Sequence, residues 1–169
     1  MARIYSILFV ILLLVAGCAG ESSAPQASND EAAAPEASSA SSASDGMQEV
    51  VIQPVGDQMK FASEEFTVQS GAKVRLVMDN VATLDAMQHN IVILSPGSDI
   101  NTVGAAAIQA GPDNDYVPAD NDNILFYTAI AGPGEQTVVE FTAPAPGEYP
   151  FICTFPGHYS LMKGVMIVE

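Results

Sequence analysis

From residue 47 onward the chain alternates between short apolar runs and polar breaks. The runs fall at residues 49–53, 65–69, 73–79, 90–95, 124–128, 136–141, 148–153 and 164–169. They are rich in Val, Ile, Phe and Thr, and Gly, Pro, Asn and Asp separate them, which is the pattern of strands joined by turns. In two runs the period of two selects a face: Val74, Leu76 and Met78 fall on one side, as do Tyr149, Phe151 and Cys153. The run Ile91-Val92-Ile93-Leu94 is apolar on both sides and predicts a strand covered on both faces. Seven or eight strands at this spacing predict an all-β sandwich of two facing sheets. The longest interruption covers residues 96–123, where a short helix is predicted over 99–109, stopped by Gly111. A loop of that length in a compact domain has a role or a structure of its own. There is no internal repeat and no second folded domain.

The first 46 residues follow different rules. Arg3 precedes an unbroken apolar run over residues 7–16, too short for a bilayer, which needs about 20 apolar residues. A basic start, an apolar middle and small residues after it predict a secretory signal over residues 1–17. Val15-Ala16-Gly17-Cys18 resembles a bacterial lipoprotein box, which implies that Cys18 is lipidated and becomes the mature first residue. More than one acyl chain is needed for a stable anchor. Residues 18–46 form the next segment, and after Cys18 it has no aromatic and no branched aliphatic residue. Such a composition cannot offset the entropy of ordering, so a disordered tether is predicted. It would span roughly 30 Å as a coil and at most about 90–100 Å extended. A passive spacer and an arm that lets a head swing above a membrane are both open readings. The folded domain is predicted over residues 47–169, long enough to bury a real core.

Charge narrows the partners. Over residues 47–169 four basic residues face 15 acidic ones, a net charge of −11. Nucleic acid and anionic membrane surfaces repel such a body. Acidity for solubility and acidity for a basic partner are both open; only Asp113, Asp115, Asp120 and Asp122 are bunched.

The chemistry concentrates in a few residues. The chain has two cysteines, and with Cys18 lipidated Cys153 stands alone in an oxidising compartment. A lone thiol there is either buried and inert or a ligand. Cys153, His158 and Met162 form a Cys-x4-His-x3-Met pattern on a loop containing Pro156 and Gly157, between two predicted strands. The other of the two histidines, His89, opens the doubly apolar strand 64 residues upstream. A core Met, a buried Cys and a solvated His are each ordinary. All of them together compose a His2Cys trigonal set with a weak axial Met, the donor set of blue-copper electron-transfer sites. The backbone N–H groups of Asn90 and Phe155 are candidates to hydrogen-bond the Cys153 sulfur and tune a redox potential.

Cys-Thr-Phe-Pro-Gly-His followed by Leu-Met-Lys-Gly, preceded by Met-x-His-Asn, resembles the azurin branch of the cupredoxins, and the auracyanins more closely still. The likeness extends to residues 57–61 and 115–117 and covers essentially residues 50–169. It implies a Greek-key cupredoxin-like sandwich with one type 1 copper, held strongly by His89, Cys153 and His158 and axially by Met162. It also implies that His158 points towards solvent as an electron port, within an apolar patch of Met87, Phe155 and Pro156. Membrane-bound c-type cytochrome complexes as donors, and an oxidase or photosynthetic reaction centre as acceptor, are its implied partners. Two departures stand out. Azurins have Gly where this chain has Gln88, which puts a carbonyl contact to the metal in question. Their N-terminal disulfide has no cysteine here to form it. Three function classes compete: an electron carrier, an extracytoplasmic copper store, and a copper enzyme. Both histidines are used in one site, which leaves no second His-based copper centre for an enzyme. Zinc fits the same ligands.

Overall fold

The computed structural model of the protein describes residues 46–169. The predicted secretory segment, Cys18 and the tether up to residue 45 lie outside the described residues. Eight strands follow in chain order: β1 (Met47–Ile52), β2 (Glu65–Val68), β3 (Lys73–Asp79), β4 (Val92–Leu94), β5 (Ile124–Tyr127), β6 (Gln136–Thr142), β7 (Gly147–Ile152) and β8 (Lys163–Val168). A helix α1 (Ile100–Ala110) and a single 3-10 turn (Pro112–Asn114) lie between β4 and β5. The strands form one sheet in the order β1-β3-β6 and a second in the order β2-β8-β7-β4-β5. The expected all-β sandwich is the one observed. Two pairings, β1 with β3 and β2 with β8, are parallel.

Alternation explains which side chains fill the space between the sheets. Val74, Leu76 and Met78 are fully buried, as are Phe151 and Cys153, with Tyr149 nearly so. They join Ile52, Phe61, Val68, Ile91, Ile93, Met162 and Met166 in one core. Phe151 lies at its centre, with ring centroids 5.2 Å from Phe61 and 5.4 Å from Phe66. Phe126 of β5 stacks on Phe141 of β6 at 4.2 Å and joins the two sheets. Gly164 on β8 is the point of closest approach, because a Cβ there would overlap the Glu64 carbonyl and the Phe151 ring.

Strand β4 shows why both of its faces are apolar. Ile91 and Ile93 enter the core between the sheets, while Val92 and Leu94 face a second cluster with Val103, Val117 and Ile152. Helix α1 supplies Val103 to that cluster and so covers the outer face of the five-stranded sheet. Asp99 caps the helix by accepting from the Asn101 and Thr102 amides at 2.8 and 3.2 Å. Gly111 ends it at φ 75°, a conformation that favours glycine.

One exposed carboxylate ties two loops together. Asp57 accepts from the Thr83 amide at 2.6 Å, the Thr83 hydroxyl at 2.8 Å and the Leu84 amide at 3.0 Å. The Thr83 amide, then its hydroxyl and the Leu84 amide, hold this carboxyl below its ordinary value of 3.8. A depressed folded-state value stabilises the protein above the unfolded one, and that contribution disappears as pH falls through the folded one. Asp57→Ala is therefore expected to lower the melting temperature at pH 7. The gap to wild type should shrink as pH falls below 3.8, as thermal melts across that range would reveal. An equal gap at both ends would deny the carboxylate this role.

Candidate metal centre

The β7–β8 hairpin builds most of the site. Its last regular pair is Ile152 with Lys163, and the Cys153 amide then donates to the Met162 carbonyl at 3.0 Å. Between them the chain winds into a tight turn. The His158 amide donates to the Phe155 carbonyl at 3.0 Å, and the His158 carbonyl accepts from the Leu161 and Met162 amides at 3.0 and 2.8 Å. Gly157 makes this turn possible at φ 87°, a region closed to most side chains. His89 arrives from the segment before β4. It is fixed by a two-hydrogen-bond bridge to Ala131, at 3.1 Å from its amide and 2.8 Å to its carbonyl.

These pieces bring three of the four predicted donors to one point. His89, Cys153 and His158 are all buried, and their ligand atoms lie within 4.8 Å of one another. Nδ1 of His89 is 3.8 Å from the Cys153 sulfur, Nδ1 of His158 is 3.6 Å from it, and the two rings are 5.0 Å apart. Met162 is fully buried in the same core as Cys153. Burial pushes the Cys153 thiol up to about 12, against the pull of the Asn90 and Phe155 backbone N–H groups directed at the sulfur. Burial, with a smaller push from His158, brings His89 down to about 4, and burial lowers His158 as well. At neutral pH the metal-free site thus holds two neutral imidazoles and a protonated thiol. The His89 Nε2 is buried with no hydrogen-bond partner among the described residues. Metal-binding imidazoles ordinarily donate from their second nitrogen, so His89 is oriented by its backbone bridge and by packing instead.

Polar side chains beside the donors complete the frame. The Asn90 side chain donates to the Asp115 carbonyl at 3.0 Å and to the Thr154 hydroxyl at 2.8 Å, and accepts from the Thr154 amide at 2.8 Å. Asn80, fully buried, donates to the Met87 and Ala131 carbonyls at 2.8 and 2.9 Å and so holds both flanks of His89. Thr128 accepts from the Ile91 amide at 3.0 Å. Sequence reasoning singled out Asn90 for its amide but missed its side chain, along with Asn80, Thr128 and Thr154. The available signal was a polar residue at the end of each strongly apolar strand, where a buried polar group requires partners.

His158 is buried to within 3% of its surface. Met87, Phe155 and Pro156 are partly buried around the loop. Phe155 packs between His158 and Tyr116, at 4.9 and 5.4 Å. The large apolar side chain this loop does expose is Leu161, at 60%, which sequence reasoning did not single out. Gln88 is partly buried, with φ outside the positive range. Of the bunched acids, Asp115, Asp120 and Asp122 line an open groove of about 550 Å³ beside Tyr127.

The donor set fits a metal ion. A thiolate about 2.3 Å and an imidazole about 2.0–2.1 Å from one ion, with bonds roughly 110–120° apart, stand roughly 3.5–3.8 Å from each other. The observed 3.6 and 3.8 Å lie in that range. A thiol this deeply buried ionises only beside a cation, and a coordinating metal provides one. Two imidazoles and one thiolate in a buried pocket are the donors of a single type 1 copper.

Residues 48–169 match the family of copper binding proteins, plastocyanin/azurin family, and the chain belongs to that family. Within it the chain is a cupredoxin-fold protein related to the auracyanins and azurins. It is 37% identical to auracyanin-A of Chloroflexus aurantiacus over 115 residues, which cover 68% of this chain and 70% of that one. Auracyanin-B of the same organism is 38% identical over 123 residues, covering 72% of this chain and 52% of the relative, about half its length. The crystal structure of dithionite-reduced auracyanin from the photosynthetic bacterium Roseiflexus castenholzii is 44% identical. It covers 72% of this chain and 96% of its own, with a TM-score of 0.66.

Asn90→Ala leaves the Thr154 amide and hydroxyl and the Asp115 carbonyl without their partner, at a cost of roughly 2–4 kcal/mol. Urea denaturation of the metal-free protein should register that loss, and a change below about 0.5 kcal/mol would deny the side chain a structural role.

Proposed function

We propose that this protein carries single electrons by cycling one type 1 copper between Cu(II) and Cu(I). His89, Cys153 and His158 would hold the copper through two imidazole nitrogens and a thiolate, with the Met162 thioether as a weaker fourth donor. The observation that carries the reading is the approach of two imidazole Nδ1 atoms to the Cys153 sulfur at 3.8 and 3.6 Å in a buried pocket. Copper bound there supplies a one-electron couple whose reduced state suits sulfur and whose oxidised state accepts imidazole. The chain's part is to hold the donors still. The hairpin fixes Cys153, His158 and Met162 together, and the bridge to Ala131 fixes His89. Donors that do not move when the electron moves keep the reorganisation small. The Asn90 and Phe155 N–H groups withdraw density from the sulfur and so tune the potential. Burial of all three strong donors disfavours exchange with outside metal, which speaks for a carrier over a store. With both histidines committed to one centre, the protein is an electron carrier and not an enzyme.

The finer reading places the folded domain, residues 47–169, outside the cytoplasm, on a tether over residues 18–46 anchored through lipidated Cys18 after removal of residues 1–17. No helix among the described residues is long and apolar enough to cross a membrane. Partners are redox proteins such as c-type cytochromes and membrane electron-transport complexes. The relatives' origin in photosynthetic bacteria supports this. Docking uses the apolar patch of Met87, Phe155 and Pro156 around His158 as electron port, together with Leu161, which the same loop exposes.

The copper-loaded protein is expected to be intensely blue from thiolate-to-Cu(II) charge transfer. Cys153→Ser should abolish the colour, and a variant that stayed blue would remove Cys153 from the centre. Met162→Leu should keep the copper and raise the reduction potential in protein-film voltammetry, because a weak donor to Cu(II) is lost. An unchanged potential would mean that Met162 is not a donor to the copper.

A further inference from the structure

Helix α1 interrupts the sandwich between β4 and β5, and one of its three buried residues is a glycine. Gly104 is buried in the middle of the helix, where glycine is the poorest choice after proline. Its φ is not positive, so backbone freedom does not explain it. Space does. A Cβ built on Gly104 would fall within the ring of Tyr159, against Cγ, Cδ1 and Cδ2. The ring therefore lies directly on the helix backbone, and it also packs against the cluster of Val92, Leu94, Val103, Val117 and Ile152.

Tyr159 follows His158 in the ligand turn. The His158 carbonyl, one peptide away, accepts from the Leu161 and Met162 amides. Among the described residues no hydrogen bond orients the His158 ring apart from its approach to the Cys153 sulfur. Its placement rests on the backbone that carries it and on packing against Phe155 and His89, at 4.9 and 5.0 Å. We infer that α1 is a strut for this turn: Tyr159, seated on Gly104, is a positioning residue that fixes His158 and Met162. The inference deepens the copper reading above and rests on it for the metal, while the packing contact itself stands independently.

The test is a mutant cycle read in both the copper-free and the loaded protein. Ala normally favours a helix over Gly, so Gly104→Ala raises the copper-free melting temperature if nothing crowds the site. The strut requires the opposite: a lower melting temperature, copper release to a chelator faster by about 10-fold or more, and an altered copper hyperfine splitting in the paramagnetic resonance spectrum. Tyr159→Ser, which removes the ring, should also release copper faster and shift the spectrum, whereas Tyr159→Phe keeps the ring and should match wild type. In the Tyr159→Ser background Gly104→Ala should become neutral or stabilising. If Gly104→Ala fails to fold alone, recovery of folding in the double variant supports the contact, and failure of the double variant overturns it. A Tyr159→Ser protein with wild-type spectrum and release rate overturns the strut. A wild-type chain that took up no copper would sink the proposed function instead, while the melting cycle would still judge the contact.

Discussion

Asn90 and Thr154 are 64 residues apart in sequence, yet their side chains and backbone exchange three hydrogen bonds inside the protein. Each is the immediate neighbour of a donor: Asn90 follows His89, and Thr154 follows Cys153. The clasp therefore sets the separation of two segments that nothing in the chain joins locally. Because both partners are buried, neither can exchange the bond for one to water. With this contact fixed, the hairpin turn brings His158 to the same point. The 3.6 and 3.8 Å separations at the sulfur follow from it.

The electrostatics of the site follow from the same enclosure. A thiol moved up to about 12 and a histidine brought down to about 4 describe a pocket that rejects isolated charge of either sign. Such a pocket accepts a cation only together with the negative charge that the cation itself creates at sulfur. The domain's net charge of −11 lies at a different level, spread over the surface with part of it lining the groove beside Asp115. Surface charge governs encounter, while the buried donors govern the metal.

Much of this was legible in the sequence because it is written in short-range patterns. Strand β3 runs over the same residues that alternation marks, and Asp99 and Gly111 bound α1 as cap residues do. The double apolar face of Ile91 to Leu94 is explained by two clusters, one on each side. Long-range packing was less legible. Nothing near Gly104 announces that an aromatic ring 55 positions later will lie on it, since glycine in a helix can equally reflect tolerance. How much of His158 reaches the surface depends on how several loops converge, which no local pattern in the sequence reports. The side chains of Asn80, Thr128 and Thr154 became meaningful only once their partners' positions were known.

Sheet order has a further consequence for how the molecule forms. Strand β8, the last of the eight, lies inside the five-stranded sheet, paired with β2 on one side and β7 on the other. Neither neighbour can complete its ladder until β8 is present, a pairing between distant segments of the kind that slows folding. A chain still emerging from a ribosome before β8 is made holds β2 and β7 with a gap between them. Metallation is accordingly a late event that waits for β8 to take its place between them.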